Sequence, residues 1–83
     1  MKLSYAKAFR RDCKVISKRR WNTRKLKSRI GELDKECDCH MLKGKFAGKR
    51  ECHISFDWVL VYEVVGDAIK LLRTGTHEEV LGV

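Results

Sequence analysis

Trp58-Val59-Leu60-Val61-Tyr62-Glu63-Val64-Val65-Gly66-Asp67-Ala68-Ile69-Lys70-Leu71-Leu72-Arg73-Thr74-Gly75-Thr76 is the stretch that decides the fold of this chain. Its two arms are rich in Val, Leu, Ile, Thr and aromatic side chains, which suit a pleated surface. Gly66-Asp67 between them has the length and chemistry of a two-residue hairpin turn. If Val65 pairs with Ala68, then Val64 faces Ile69, Glu63 faces Lys70, Tyr62 faces Leu71 and Leu60 faces Arg73. The Glu63–Lys70 pair sets opposite charges directly across the strands, which supports that register. The same register carries Asp57 beside Thr76, with His77 one step further on. Strict alternation would turn Asp57 and His77 to opposite faces, so a bulge or kink at Gly75 is expected to re-aim the histidine.

Working outward, Arg50 to Asp57 reads as another extended segment, with His53 in phase with Asp57. His40, His53 and His77 are all the histidines of the chain, and they are expected to gather near one end of the sheet. Imidazoles move protons near neutral pH. Cutting an RNA strand through its own 2′-hydroxyl needs a base, an acid for the leaving oxygen and cations against the charge on phosphorus. His, Asp and Arg can fill those roles without a metal. Zinc is the competing use, because Cys37-Asp38-Cys39-His40 with Cys52-His53 offers up to five ligands. The C-x-C-H spacing is not the usual C-x-x-C knuckle, however, and Cys37 also fits an apolar helix stripe, so no metal and no cofactor are expected. Gly44 and Gly48 match no phosphate-loop pattern. They read as turn glycines, with Lys43, Lys45, Lys49 and Arg50 beside them available for phosphates.

The first half of the chain is of a different kind. Tyr5, Phe9, Cys13 and Ile16 recur at helical spacing and predict a first amphipathic helix. Leu26, Ile30, Leu33 and Cys37 predict a second, capped by Asn22 or Thr23. Both helices together read as a hairpin covering one sheet face, with Cys13 and Cys37 as core residues. Met1 to Ser4 is either an edge strand or a lead-in to the first helix, and Cys39 to Lys49 reads as loop. With 83 residues, no repeat and no linker, residues 1–83 form a single α+β domain: two N-terminal helices packed on a small, mainly antiparallel sheet.

Charge is split unevenly. Residues 1 to 50 carry 17 Lys and Arg against 5 Asp and Glu, a net +12, whereas residues 51 to 83 carry 2 against 6, a net −4. Between Cys13 and Gly31 there are eight basic residues and no acid. Such a one-sided field suits a phosphate backbone and salt-sensitive binding. A merely solubilising surface would not require it. No signal peptide and no apolar stretch of spanning length is evident, so a soluble cytoplasmic protein with reduced thiols and no membrane partner is expected.

Several blocks then agree in order and spacing: H-M-L-K-G from His40, R-E-C-H-I from Arg50, D-W-V-L-V-Y from Asp57 and L-L-R-T-G-T-H ending at His77. Over His40 to Gly82 the chain resembles the YafQ branch of the RelE-type toxin superfamily, and its N-terminal helices match in length and pattern. The resemblance implies a ribosome-dependent mRNA endoribonuclease, the toxin of a type II toxin–antitoxin pair, which inhibits translation by metal-independent acid–base cleavage. It implies a cognate antitoxin, mRNA on the ribosome as substrate, and ribosomal RNA contacts by the basic helices. His40, His53, Asp57 and His77 fall on the branch's functional positions and Arg73 on one used for phosphate contact. His40 and His77 are then base and acid in either order, with His53, Asp57 and Arg73 orienting groups and stabilising the phosphate. Lys43, Lys45, Lys49, Arg50, Trp58 and Leu81 are the expected substrate contacts. Met41 and Phe56 stand where many relatives have proline, and Leu81 stands where they place a phenylalanine thought to seat the substrate base. The alternative is a basic RNA- or ribosome-binding module without turnover.

Overall fold

The computed structural model describes residues 2–33, 40–41 and 48–82, with 40–41 described by their backbone. In chain order the elements are β1 (Lys2–Tyr5), α1 (Lys7–Lys18), α2 (Thr23–Gly31), β2 (His40–Met41), β3 (Arg50–Ser55), β4 (Trp58–Val65), β5 (Ala68–Gly75) and α3 (His77–Leu81). The five strands form one sheet in the order β1-β5-β4-β3-β2. β1 runs parallel to β5, and the other pairings are antiparallel. An α+β fold with a mainly antiparallel sheet is therefore what the chain adopts.

The hairpin register holds from Val65–Ala68 to Tyr62–Leu71 and then slips. Val61 pairs with Arg73, so Leu72 is an extra residue on β5 and Leu60 faces Thr74, not Arg73. The bulge thus lies earlier than Gly75, and it advances the whole end of β5 by one residue toward Asp57. Leu72 can be inserted because both sheet faces are apolar here. Leu60, Tyr62, Ile69 and Leu71 are buried with Phe9, Ile16, Leu26 and Leu33 of the helical layer, while Leu72 packs with Val59, Val61 and Val80 on the opposite face. Each such fully buried side chain contributes about 1.5–3 kcal/mol.

The helices depart from expectation at their ends. Tyr5 belongs to β1 and not to α1, although its ring still stacks on Phe9 at 5.9 Å. The edge-strand reading of the N-terminus holds, because Ala6 N–H continues the pairing by donating to the Leu71 carbonyl. α1 closes in a Schellman motif: Trp21 N–H donates to Ile16 O, Arg20 N–H to Ser17 O, and Arg20 has φ 60°. Asn22 caps α2 by accepting from Arg24 N–H at 3.0 Å. α2 stops at Gly31, short of the stripe's end, yet Leu33 is still buried. Cys37 lies outside the described residues. β2 is a short strand inside the stretch expected to be loop. Cys13 is free and half-buried.

Gly75 still matters, for a reason other than a bulge. Its φ of 152° disfavours a side chain, and an added Cβ would sit 3.3 Å from both Glu79 Oε1 and Val80 Cγ2. Gly75→Ala is expected to cost about 1–3 kcal/mol. That would lower the melting temperature by about 4–8 °C per kcal/mol in a domain this small. An unchanged thermal melt would mean that α3 does not pack on Gly75 in solution.

Candidate active site

Alternation along β3 sorts its side chains. Cys52 enters the helix-side core, while Glu51 and His53 pair with Val61 and Val59, the residues of the opposite cluster. β3 then slips register between His53 and Ser55 and turns through Phe56 and Asp57 into β4. On the neighbouring strand, Thr76 opens α3 with a capping box: its side chain accepts from Glu79 N–H and Glu79 accepts from Thr76 N–H. His77 is the first residue of that helix. The early bulge on β5 and the helix start together bring His77 against Asp57.

The resulting cluster is tight. Asp57 Oδ1 lies 2.7 Å from His77 Nδ1 and also accepts from His77 N–H at 3.3 Å. Glu51 Oε1 lies 3.1 Å from His77 Nε2 and 3.0 Å from His53 Nε2, and the two imidazole Nε2 atoms are 3.3 Å apart. The rings meet edge to face at 5.0 Å. Glu51 is only 8% exposed, whereas His53 is exposed and His77 about one-third so. The hydrogen bond that His77 donates to Asp57 first, then the charges of Glu51 and Asp57, raise the His77 pKa above the usual imidazole value. The same hydrogen bond lowers that of Asp57. A histidine so placed keeps its proton further into neutral pH and is suited to donate it.

α3 is clamped from outside. Arg19 grips Glu79 with two contacts of 2.6 and 2.7 Å, holding the Glu79 carboxyl down at about 2. On α1, Asp12 accepts from Arg73 Nε at 2.6 Å and from Thr74 N–H at 3.1 Å. On α2, Arg29 Nε donates to the His53 carbonyl at 3.0 Å, beside the β3 irregularity. Two residues of the basic set, Arg19 and Arg29, together with Asp12, therefore fix the strands and helix that carry the histidines.

Of the residues singled out in the sequence, His53, Asp57 and His77 are brought together. Arg73 makes no described hydrogen bond to them, its guanidinium being held by Asp12. The His40 side chain, Lys43 and Lys45 lie outside the described residues, although the His40 backbone is opposite Glu51. Arg50 is exposed at the start of β3 and Lys49 precedes it, half-buried. Trp58 is 5% exposed, with Nε1–H donating to Thr74 Oγ1 at 2.8 Å. Leu81 packs against Val59, Val61 and Val80. Glu51 was not singled out, yet its signal was available: in a strand it shares the face of His53, two residues on. The T-H-E-E box at Thr76, followed by Val80-Leu81-Gly82, likewise announced α3.

Glu51, His53 and His77 also offer three ligand atoms within 4.8 Å of one another, a mixed oxygen and nitrogen donor set suited to zinc or copper. No described helix is long and apolar enough to cross a membrane.

The molecule is thus a small basic α+β domain with a carboxylate-bridged imidazole pair on the sheet face opposite α1 and α2. The chain belongs to the YafQ family, bacterial toxins of type II toxin–antitoxin systems, whose family model matches residues 1–82. It is 29% identical to the mRNA interferase toxin YafQ of Escherichia coli strain K12 over 96% of this chain and 95% of that one. Its fold superposes on the toxin–antitoxin complex DinJ–YafQ of E. coli with a TM-score of 0.88 at 28% identity, covering 98% of this chain and 97% of that one. A copper-bound mutant toxin from Helicobacter pylori gives a TM-score of 0.90 at 36% identity, covering 96% of this chain and 98% of that one.

Proposed function

We propose that this YafQ-family toxin is an endoribonuclease that cuts mRNA on the ribosome by acid–base catalysis. The observation that carries the proposal is the bridged cluster: Asp57, His77, Glu51 and His53 joined in one hydrogen-bonded chain on the sheet face opposite α1 and α2. Proton transfer by such groups lowers a barrier by about 10²–10⁴ in rate. His77 is the acid that protonates the leaving 5′-oxygen, because Asp57 and Glu51 both favour its charged form. Two placements serve the base that takes the 2′-hydroxyl proton: His40, whose strand position is opposite Glu51, and His53 with Glu51 behind it. Arg73, Lys43, Lys45, Lys49 and Arg50 supply positive charge to the phosphates, with Leu81 on the same sheet face as the histidines. The exposed basic residues of α1 and α2 contact ribosomal RNA.

The E. coli relative named as an mRNA interferase and the DinJ–YafQ complex support this reading and a cognate antitoxin for this chain. A net +8 surface favours an acidic partner, which would speed association and mask the site. Primer extension on a message being translated in a purified system tests the reading, with free RNA as control. Ribosome-dependent cuts at defined codon positions are expected. Intact message despite ribosome binding would leave only a binding module.

A related H. pylori toxin is copper-bound, and in this chain one described group of side chains has a donor set suited to such an ion. Glu51, His53 and His77 would hold such an ion, which would occupy the nitrogens that move protons. Added zinc or copper is therefore expected to inhibit cleavage, and a chelator to restore it. Stimulation by the metal, or loss of activity on chelation alone, would contradict metal-independent chemistry.

A further inference from the structure

The cavity beside the cluster has no part in the proton transfers described above. It measures about 380 Å³ and lies between the α1–α2 link and the β3–β4 turn, lined by Trp21, Lys25, Phe56, Asp57, Trp58 and Thr76 among others. We infer that it is a binding site for one unstacked nucleotide of single-stranded RNA, a proposal that rests on the reading of the chain as a ribonuclease.

Size comes first. Small-molecule sites begin at about 300 Å³, so this cavity suits one nucleotide and is too small for a helix or a folded peptide. The lining is that of a stacking site. Trp21 and Trp58 pack at 5.1 Å and 59°, and the Trp58 indole is fixed by its bond to Thr74, giving a rigid aromatic floor. Phe56 stands at the rim 98% exposed, a large apolar ring left in water with nothing over it. Bases stack on such rings whatever their sequence. Charge points the same way. Lys25 is exposed and forms no ion pair among the described residues, and it sits in the acid-free part of α2. That arrangement attracts a phosphate.

Position completes the case. Asp57 lines the cavity and also binds His77, while Thr76 lines it and caps the helix that His77 begins. A nucleotide held here is therefore adjacent in the strand to the phosphodiester over the imidazoles. Phe56 becomes a nucleotide-positioning residue of this chain.

Both tryptophans of the chain line the cavity, so intrinsic tryptophan fluorescence reports on it alone. The full chain would be titrated with a 2′-O-methyl trinucleotide, which cannot be cut, and in parallel with duplex RNA and an acidic hexapeptide. Saturable quenching by the trinucleotide alone is expected. Phe56→Ser should weaken it about tenfold, within the range for loss of one stacking ring, and Lys25→Gln should weaken it and flatten its salt dependence. Both positions are exposed, so neither variant should change the thermal melt. No quenching, equal quenching by the peptide, or binding unaffected by both substitutions would overturn the inference. The arms separate it from the parent reading: quenching without cleavage would remove the enzyme and keep the site, and cleavage without quenching would do the reverse. The source of the nucleotide follows from primer extension with Phe56→Ser. An altered cut pattern assigns the message, and an unaltered pattern with weaker ribosome binding assigns ribosomal RNA.

Discussion

His77→Ala is expected to lower the rate of ribosome-dependent cleavage by about 10²–10⁴, the usual worth of one positioned proton donor. Growth arrest on expression should be relieved accordingly. Fold stability should change little, because the imidazole is about one-third exposed and Val80, not His77, anchors α3 in the apolar layer. The raised pKa of His77 adds a pH signature. The acid must be protonated to act, so activity should fall on the alkaline side only above the raised value. Asp57→Asn removes the largest cause of that shift and should move the alkaline limb to lower pH while leaving the rate on the acidic plateau largely intact. Stability follows the same sign. A histidine whose folded pKa exceeds its unfolded value stabilises the fold below the unfolded pKa, and this is lost as pH rises through the folded one. A His77→Ala protein with wild-type cutting and arrest would remove the catalytic assignment.

What could be read from the sequence followed from local chemistry. The β4–β5 hairpin was legible because Gly66-Asp67 sets the turn and Glu63–Lys70 pins the register, and both pairings are observed. The bulge at Leu72 was not legible. Leu71 and Leu72 are alike, and only the existence of two apolar faces gives the inserted side chain somewhere to go. Tyr5 misled because it lies four residues before Phe9, a helical interval, and its ring does stack on Phe9 although its backbone is strand. The meeting of Asp57 and His77 could be anticipated from the register, whereas the partner that joins His77 to His53 could not. Glu51 is flanked by Arg50 and lies in a basic context where an acid reads as charge balance. Only the tertiary pairing of β3 with β4, and the start of α3, turns it into the bridge. Asp12–Arg73 and Arg19–Glu79 span some sixty residues of sequence, and no periodicity encodes such contacts.

Glu51→Gln is the other substitution expected to have a large effect, and it separates two roles for the carboxylate. Glutamine keeps the shape and an acceptor oxygen but loses the charge. A single oxygen, Glu51 Oε1, is within 3.1 Å of both Nε2 atoms, so a glutamine with its carbonyl oxygen in that place keeps both contacts and the substitution reads the charge alone. If Glu51 acts with His53 on the 2′-hydroxyl proton, the rate should fall by about 10²–10⁴ at every pH. If it serves only to favour the charged form of His77, the alkaline limb should move down as in Asp57→Asn and the acidic plateau should survive. A pH–rate profile of single-turnover cleavage therefore decides the matter. A surviving plateau would take Glu51 out of the chemistry and hand the base to His40, whose strand position lies opposite it. A uniform loss would keep both halves of the proton relay on the one face that β3 and α3 build together.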